Sequence, residues 1–553
     1  VAGGVEASVA VEAFRRFAQR DLLPELAQRT LQPRRGIVLM EITSIASAQV
    51  AHSFLATALG VERDAELVAY RFRRPRNSRE RFRGLVRGVR SVEDDTGQDP
   101  EEEMYRVFCD QVLDIAPSAR DVRHAKRSVR KFLARRPTLA DLEQYSVEGA
   151  VLGDLILDKH VQRGNPRIRI DHPGVRSLLL TMTMNALALH RLFDRETVQA
   201  VISAGLAVAP GLPLRVALAR GVPAYPSTFD CAWRLSKEQP NWGRDFKSHR
   251  ADFATLSAEE ALTARSSADR FLHESLEADG RGRNNLGSTS AWARRPAPVG
   301  VLPDGWEGRP KVLVAAHSFS DSPHSTGMTL FPDFFSWLEH LVVLAGRTDY
   351  LWLVKLHPDE RDRRIGVLRE VERLIEGKPN VRIIPSDVSH WALIEYGVNL
   401  ALTVYGSIAV EYPALGVPAV TAWPDGYVSG YRFALQPASI AELDAIVLDP
   451  SAWEYPVPRE DLLEYVYCHY LWPRRPGVFQ RVPAVAAHGQ DDGEFKKWGF
   501  HTFWASGVTE TDSRGILTVH RDWVRSGAYS RNAFDQVGLP QDVATPGGGG
   551  SLP

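Results

Sequence analysis

Between residues 311 and 422 the sequence contains Lys311-Val-Leu-Val-Ala-Ala316, Leu351-Trp-Leu-Val-Lys355, Val381-Arg-Ile-Ile384, Leu400-Ala-Leu-Thr-Val404 and Pro418-Ala-Val-Thr-Ala422, five short β-rich runs. The stretches between them place apolar residues at helical spacing over 334–345, 360–375, 389–396 and 408–415. Strands and helices alternating in this way predict an α/β fold with a doubly wound parallel sheet, because parallel neighbours need a crossover between them. Ligands of such sheets bind outside the carboxyl ends of the strands. The residues just after each run are therefore where chemistry is expected.

Upstream the same alternation is present in a looser form. Ile37-Val-Leu-Met-Glu-Ile42, a helical pattern over 44–59 and Glu66-Leu-Val-Ala-Tyr70 make a strand–helix–strand unit. Strand signals return over 149–157 and 198–208, and 214–225 reads as a helix closed by Gly221 that feeds a further strand through Pro223. The expected organisation is a helical arm at 1–35, a Rossmann-like first domain at 36–290 with an arginine-rich helical insertion, and a linker at 291–310. A second Rossmann-like domain at 311–450 and an extension at 451–553 complete it. Within the extension, 459–471 is expected to be a helix crossing back to the first half, and the aromatic segment 495–504 to pack in a core.

The 553 residues carry 67 Lys+Arg against 68 Asp+Glu, a net charge of −1, which removes any bulk-charge argument for a nucleic-acid partner. At 44% hydrophobic and 24% charged residues the chain is of globular composition, neither disordered nor fibrous. Cys109, Cys231 and Cys468 are too far apart for a metal or redox motif and are expected to be buried reduced thiols of a cytoplasmic protein. The beginning lacks the pattern of a secretory signal, the stretch 200–214 is too short and proline-broken to span a bilayer, and the glycine-rich tail reads as a flexible end. The arginine-rich residues 71–136 are read either as a solvated helix face or as peripheral contact with anionic headgroups at the inner face of the cell membrane or with a polyanionic acceptor.

At the strand ends of the second half, Tyr405-Gly406-Ser407 followed by Glu411 carries the most chemistry. Gly406 permits close backbone approach to a ligand, Ser407 opens a helix whose N–H groups suit a phosphate, and Glu411 shares its face at i+4. The bland reading is a serine cap with an exposed glutamate. His357-Pro358 can donate to a phosphate oxygen or merely start a helix, and Lys355 shares its strand face or points to solvent. His317, Asp321 and His324 form a dense polar loop whose spacing matches no metal pattern, so no metal or other cofactor is expected. Dinucleotide, P-loop and metalloprotease motifs are absent from the sequence. In the first half Asp154, in the turn after a strand, is the leading carboxylate, with Asp158 and Glu41 behind it.

The segments His317-x-x-x-Asp321-x-Pro-His324, Val354-Lys-Leu-His357-Pro358 and Tyr405-Gly406-Ser407-x-x-x-Glu411 resemble bacterial surface-polysaccharide transferases of the GT-B type. The similarity is to the capsule family that includes Kdo transferases, and more distantly to CDP-glycerol glycerophosphotransferases. It covers 311–422 well and the first half thinly. The resemblance implies two Rossmann-like domains facing across a cleft, a nucleotide-sugar donor as co-substrate, and a glycan or lipid-linked glycan acceptor. It assigns His357, Gly406, Ser407 and Glu411 to the nucleotide-phosphate site. The carboxylate would act as base toward the acceptor or as a nucleophile toward the donor. Rival readings are a polyol-phosphate transferase and a non-catalytic glycan-binding or partner-binding protein.

Overall fold

The structure, a computed structural model, describes residues 2–30, 36–72, 99–229, 231–238, 240, 246, 249–277, 292, 294–324, 329–357, 366–471, 479 and 497–531. Twelve strands are present among them. Those of the first half are β1 (Ile37–Glu41), β2 (Glu66–Phe72), β3 (Gln111–Ile115), β4 (Ser146–Val147), β5 (Ala150–Val151), β6 (Val198–Ser203) and β7 (Ala224–Pro226). The second half supplies β8 (Lys311–Ala315), β9 (Leu351–Lys355), β10 (Val381–Ile384), β11 (Leu400–Thr403) and β12 (Ala419–Thr421).

They build two parallel five-stranded sheets, ordered β3-β2-β1-β6-β7 and β10-β9-β8-β11-β12, with β4 and β5 forming a small antiparallel hairpin. Each sheet starts near its middle, grows one way and then reverses, so each has a switch point, β1/β6 in the first and β8/β11 in the second. This repeated order is the doubly wound, Rossmann-like architecture on both sides. The central strands are buried throughout, as Val38, Leu39 and Met40 of β1 and Val312, Leu313 and Val314 of β8 illustrate. Helices covering both faces leave no polar side for an alternating pattern, and hence the apolar runs.

Three expectations are corrected. The run 149–157 is not one strand: after the β4–β5 turn, with Glu148 and Gly149 both at positive φ, a helix spans Gly153–Gln162. That helix is buried between the helices Pro173–Phe193 and Val208–Ala219, so its apolar residues run all round it and no period betrays it. The expected boundary at 290 falls earlier, because the helix Ala258–Glu277 places Ala268, Phe271 and Leu272 in a core shared with Val410, Phe433 and Tyr465. The helix Arg459–Val466 stays with that same core instead of crossing back. The return to the first half is made by Lys497–Gly507 and Glu510–Ser526, which pack on Ala2–Phe17 and Ala46–Arg63. All three cysteines are free, with Cys468 buried and Cys109 and Cys231 half-buried.

Candidate active site

At the switch point of the second sheet, β8 ends into His317 and β11 ends into Tyr405-Gly406-Ser407. The Nε2 of His317 accepts the Tyr405 N–H at 3.1 Å and lies 3.1 Å from Thr403 Oγ1. Thr403 Oγ1 in turn accepts the Gly406 N–H at 3.0 Å, and the Tyr405 N–H already occupies the Nε2 lone pair of His317. The ring therefore carries its proton on Nδ1. Burial, with the nearby His357, pushes His317 down to about 3, so it is a neutral acceptor. It stacks on Phe334 at 4.7 Å and is tilted against Tyr405 at 4.5 Å, and those two rings also meet each other at 5.6 Å. Tyr427 locks the other side of the corner by donating to the carbonyls of Tyr405, at 2.5 Å, and Gly406, at 2.6 Å. A Cβ on Gly406 would stand 2.7 Å from Thr403 Oγ1, so the corner requires glycine for space, not for an unusual φ.

The bland reading of Ser407 does not hold, since its side chain caps nothing in the helix Ile408–Ala414 and its backbone is already helical. Among the described residues the N–H groups of Tyr405 and Gly406 are satisfied internally, while those of Ser407 and Ile408 have no backbone acceptor. Glu411 is 1% exposed, not a surface residue. Burial pushes its carboxyl up to about 7 against hydrogen bonds from Ser407 and the linker residue Trp292, and its Oε1 has no partner.

Beyond β9 the two candidate residues separate. Lys355 is buried, donates to the Ser386 carbonyl at 2.5 Å and is lowered to about 8 by burial. His357 is exposed and lines a cavity of about 370 Å³ with Phe319, Leu356, Ile383 and Asp387. Pro358 lies outside the described residues.

The loop after β8 does not gather into a metal site: Asp321 is exposed and accepts the Ser322 N–H at 2.8 Å, and no group of three potential ligands converges among the described residues. His324 instead reaches the other half. Its Nδ1 lies 2.6 Å from Asp158 Oδ1, and its backbone N–H donates to the same oxygen at 3.1 Å. Burial alone would lower His324, but the hydrogen bond and charge of Asp158, with Asp154 and Glu143 nearby, hold it above its ordinary value. Burial likewise raises Asp158. The Nε2 of His324 is buried without a partner.

Asp154 and Asp158 occupy one face of the helix Gly153–Gln162, one turn apart. Asp154 sits in the first turn of that helix, just after the short strand β5, and pairs with Arg215 at 2.5 Å, while its Oδ1 is buried without a partner. Leu155 of this helix packs at Gly211, in the helix that follows β6. Glu41 closes β1 beside Ser203 at the end of β6, whose hydroxyl donates to it at 2.8 Å, and burial pushes its carboxyl up to about 7. The structure thus brings Asp154, Asp158 and His324 together, with His317, Gly406 and Ser407 in a second group and His357 in the cavity after β9. Thr403, Tyr427, Arg215 and Trp292 escaped the sequence reading. Only Thr403, on the strand that ends at the switch point, carried a positional signal.

No protein-family model matches the sequence, and no curated protein matches it. Among solved structures the chain is similar to Thermosulfurimonas dismutans KpsC, a β-Kdo 2,4 transferase, at 13% identity and a TM-score of 0.31, over 49% of this chain and 79% of that one. S. aureus MnaA with UDP aligns at 11% identity and a TM-score of 0.21, over 78% and 93%. The Methanocaldococcus jannaschii UDP-GlcNAc 2-epimerase, in complex with UDP-GlcNAc and UDP, aligns at 10% and 0.23, over 78% and 97%. At such TM-scores these likenesses say nothing about the site, and the functional reading rests on the chain's own geometry.

Proposed function

We propose that the protein is a glycosyltransferase that moves a sugar from a nucleotide-activated donor, linked to CMP, CDP or UDP, to a cell-surface polysaccharide or glycolipid acceptor. The observation that carries this reading is the Asp158–His324 contact, which sets a carboxylate-bearing helix of the first sheet against the polar loop of the second sheet's switch point. An acceptor hydroxyl and a phosphate leaving group need such opposed chemistries a few ångströms apart. In this reading the acceptor oxygen bonds to the anomeric carbon and its proton passes to Asp154. The bond from that carbon to the phosphate oxygen breaks, and its electron pair leaves with the nucleotide. The N–H groups of Ser407 and Ile408, the Ser407 hydroxyl once it turns from Glu411 to the phosphate, and His357 meet the growing charge, donors of this kind being worth roughly 2.7–4 kcal/mol each.

Thermal-shift titration with CMP, CDP and UDP tests the donor site. A nucleotide at about 100 times its Kd stabilises the fold by about 2.7 kcal/mol. His357→Ala and Ser407→Ala are expected to abolish transfer while leaving the melting temperature of the free protein within a few degrees. No stabilisation by any of the three nucleotides, or full transfer in both variants, overturns the reading. The mass of the product distinguishes a gained glycoside from a gained phosphodiester.

A further inference from the structure

The helix Ala119–Ala134 follows β3 at the outer edge of the first sheet. Arg120, Arg123, Lys126, Arg127, Arg130 and Lys131 are all exposed on it, and Arg135 and Arg136 extend the row just beyond its end. None of these eight side chains makes a hydrogen bond or ion pair among the described residues. Several arginines elsewhere are engaged: Arg71 meets Asp99, Glu102 and Asp114, and Arg521 and Arg525 both hold Glu62. The one acid of the basic helix, Asp121, is turned inward, where it completes a capping box with Ser118 and pairs with Arg191. Like charges at i, i+3 and i+4 repel, so the row lowers the stability of its own helix and contributes nothing visible to the fold.

The opposite face of the helix is apolar and spent, with Ala125 and Val129 buried and Phe132 edge-on to Tyr145 at 4.8 Å. The cationic face therefore offers no apolar side chain for insertion and no aromatic platform for stacking on bases. Beside it lies a cavity of about 400 Å³ lined by His124, Lys131, Arg135, Asp141, Tyr145 and Glu148. Both of its carboxylates are occupied, Asp141 by the cap of Thr138 and Glu148 by Arg220 at 3.4 Å. Its uncommitted charges are positive.

We propose that this helix is a docking surface for an anionic phospholipid bilayer, on which the protein adsorbs without inserting. A straight cationic row roughly 24 Å long matches a plane of phosphates better than a single small anion, and the cavity beside it offers a seat for one phosphorylated headgroup. No helix among the described residues is long and apolar enough to cross a membrane, so contact would be made through a surface of this kind. The inference is independent of the catalytic reading, and its test does not use activity.

Full-length protein is sedimented with vesicles of phosphatidylcholine alone and with vesicles containing phosphatidylglycerol. Partition onto the second is expected to exceed the first at least about tenfold and to vanish at high salt. The variant Arg123→Gln/Arg127→Gln/Arg130→Gln should lose about 100-fold in partition, and Lys131→Gln/Arg135→Gln should weaken it in proportion to its two charges. A charge-matched variant on the second half, Arg347→Gln/Arg369→Gln/Arg373→Gln, should bind as the parent does. Equal binding to both vesicles, an equal loss in the charge-matched variant, or tighter binding to duplex DNA than to the anionic vesicles overturns the proposal.

Discussion

Asp158 and His324 stand 166 residues apart in the chain, yet their side chains are 1% and 2% exposed and meet at 2.6 Å. Such a pair belongs to neither half alone. Removing one partner of a buried ion pair costs about 3–5 kcal/mol, because the other is left buried without compensation. Asp158→Asn is therefore expected to lower stability by about that amount in chemical denaturation. The pH dependence has a definite sign. His324 is raised above its unfolded value of 6.5, so its contribution is complete below pH 6.5 and disappears as pH climbs through the folded value. Denaturation from pH 6 to pH 9 should show this decline in the parent and a flatter profile in Asp158→Asn. A parallel decline in both would mean that other groups set the slope.

At the scale of the element, the corner between β11 and the helix Ile408–Ala414 depends on two residues that compete for one space. Thr403 Oγ1 bridges His317 and the Gly406 N–H, and a methyl group on residue 406 would enter that contact at 2.7 Å. Gly406→Ala should cost about 1–3 kcal/mol through overpacking and weaken nucleotide binding in the same thermal-shift assay. Combined with Thr403→Ala, which makes room for the methyl, the loss should be smaller than the sum of the two single losses, a coupling of about 0.5–3 kcal/mol. Strict additivity would place the strain elsewhere. The same corner marks how much the sequence discloses. Gly406 and Ser407 stand out because a glycine before a helix start is a local signal, and the five strands of the second half read clearly because central parallel strands are apolar on both faces. By contrast, Gln111–Ile115 is a sheet-edge strand with a single fully buried residue, and it drowned in the surrounding charge. The neutrality of His317 and the latch of Tyr427 are products of tertiary contact, for which no local pattern exists. Lys355 and His357 share a strand parity but not an environment, since the strand ends between them.

Over the whole molecule, the two ends of the described chain close on each other around the first sheet. The helices Ala2–Phe17 and Lys497–Gly507 pack together, with Trp504 edge-on to both Phe17 and Phe54 at 6.2 and 6.0 Å. His501 lies 2.6 Å from Gln49, Trp523 meets Tyr225 at 90°, and Arg521 and Arg525 hold Glu62. The last two helices are thus part of the first half's core, although nearly the entire second half separates them from it in sequence. Trp504 is 1% exposed and sits among Phe17, Phe54, Phe229 and Phe479. Trp504→Ala should cost about 3–5 kcal/mol, and the loss should fall on the first half, because none of these rings contacts the second sheet. Limited proteolysis of the variant should therefore cut first in residues 2–226 while a fragment beginning near 249 persists, since the helix Ala258–Glu277 shares its core with the second half. Simultaneous loss of both halves would instead mean that the Asp158–His324 contact and its neighbours, Gln162 with Ser322 at 3.0 Å and the Ile168 N–H with Asp333 at 2.7 Å, bind the two sheets into one cooperative unit.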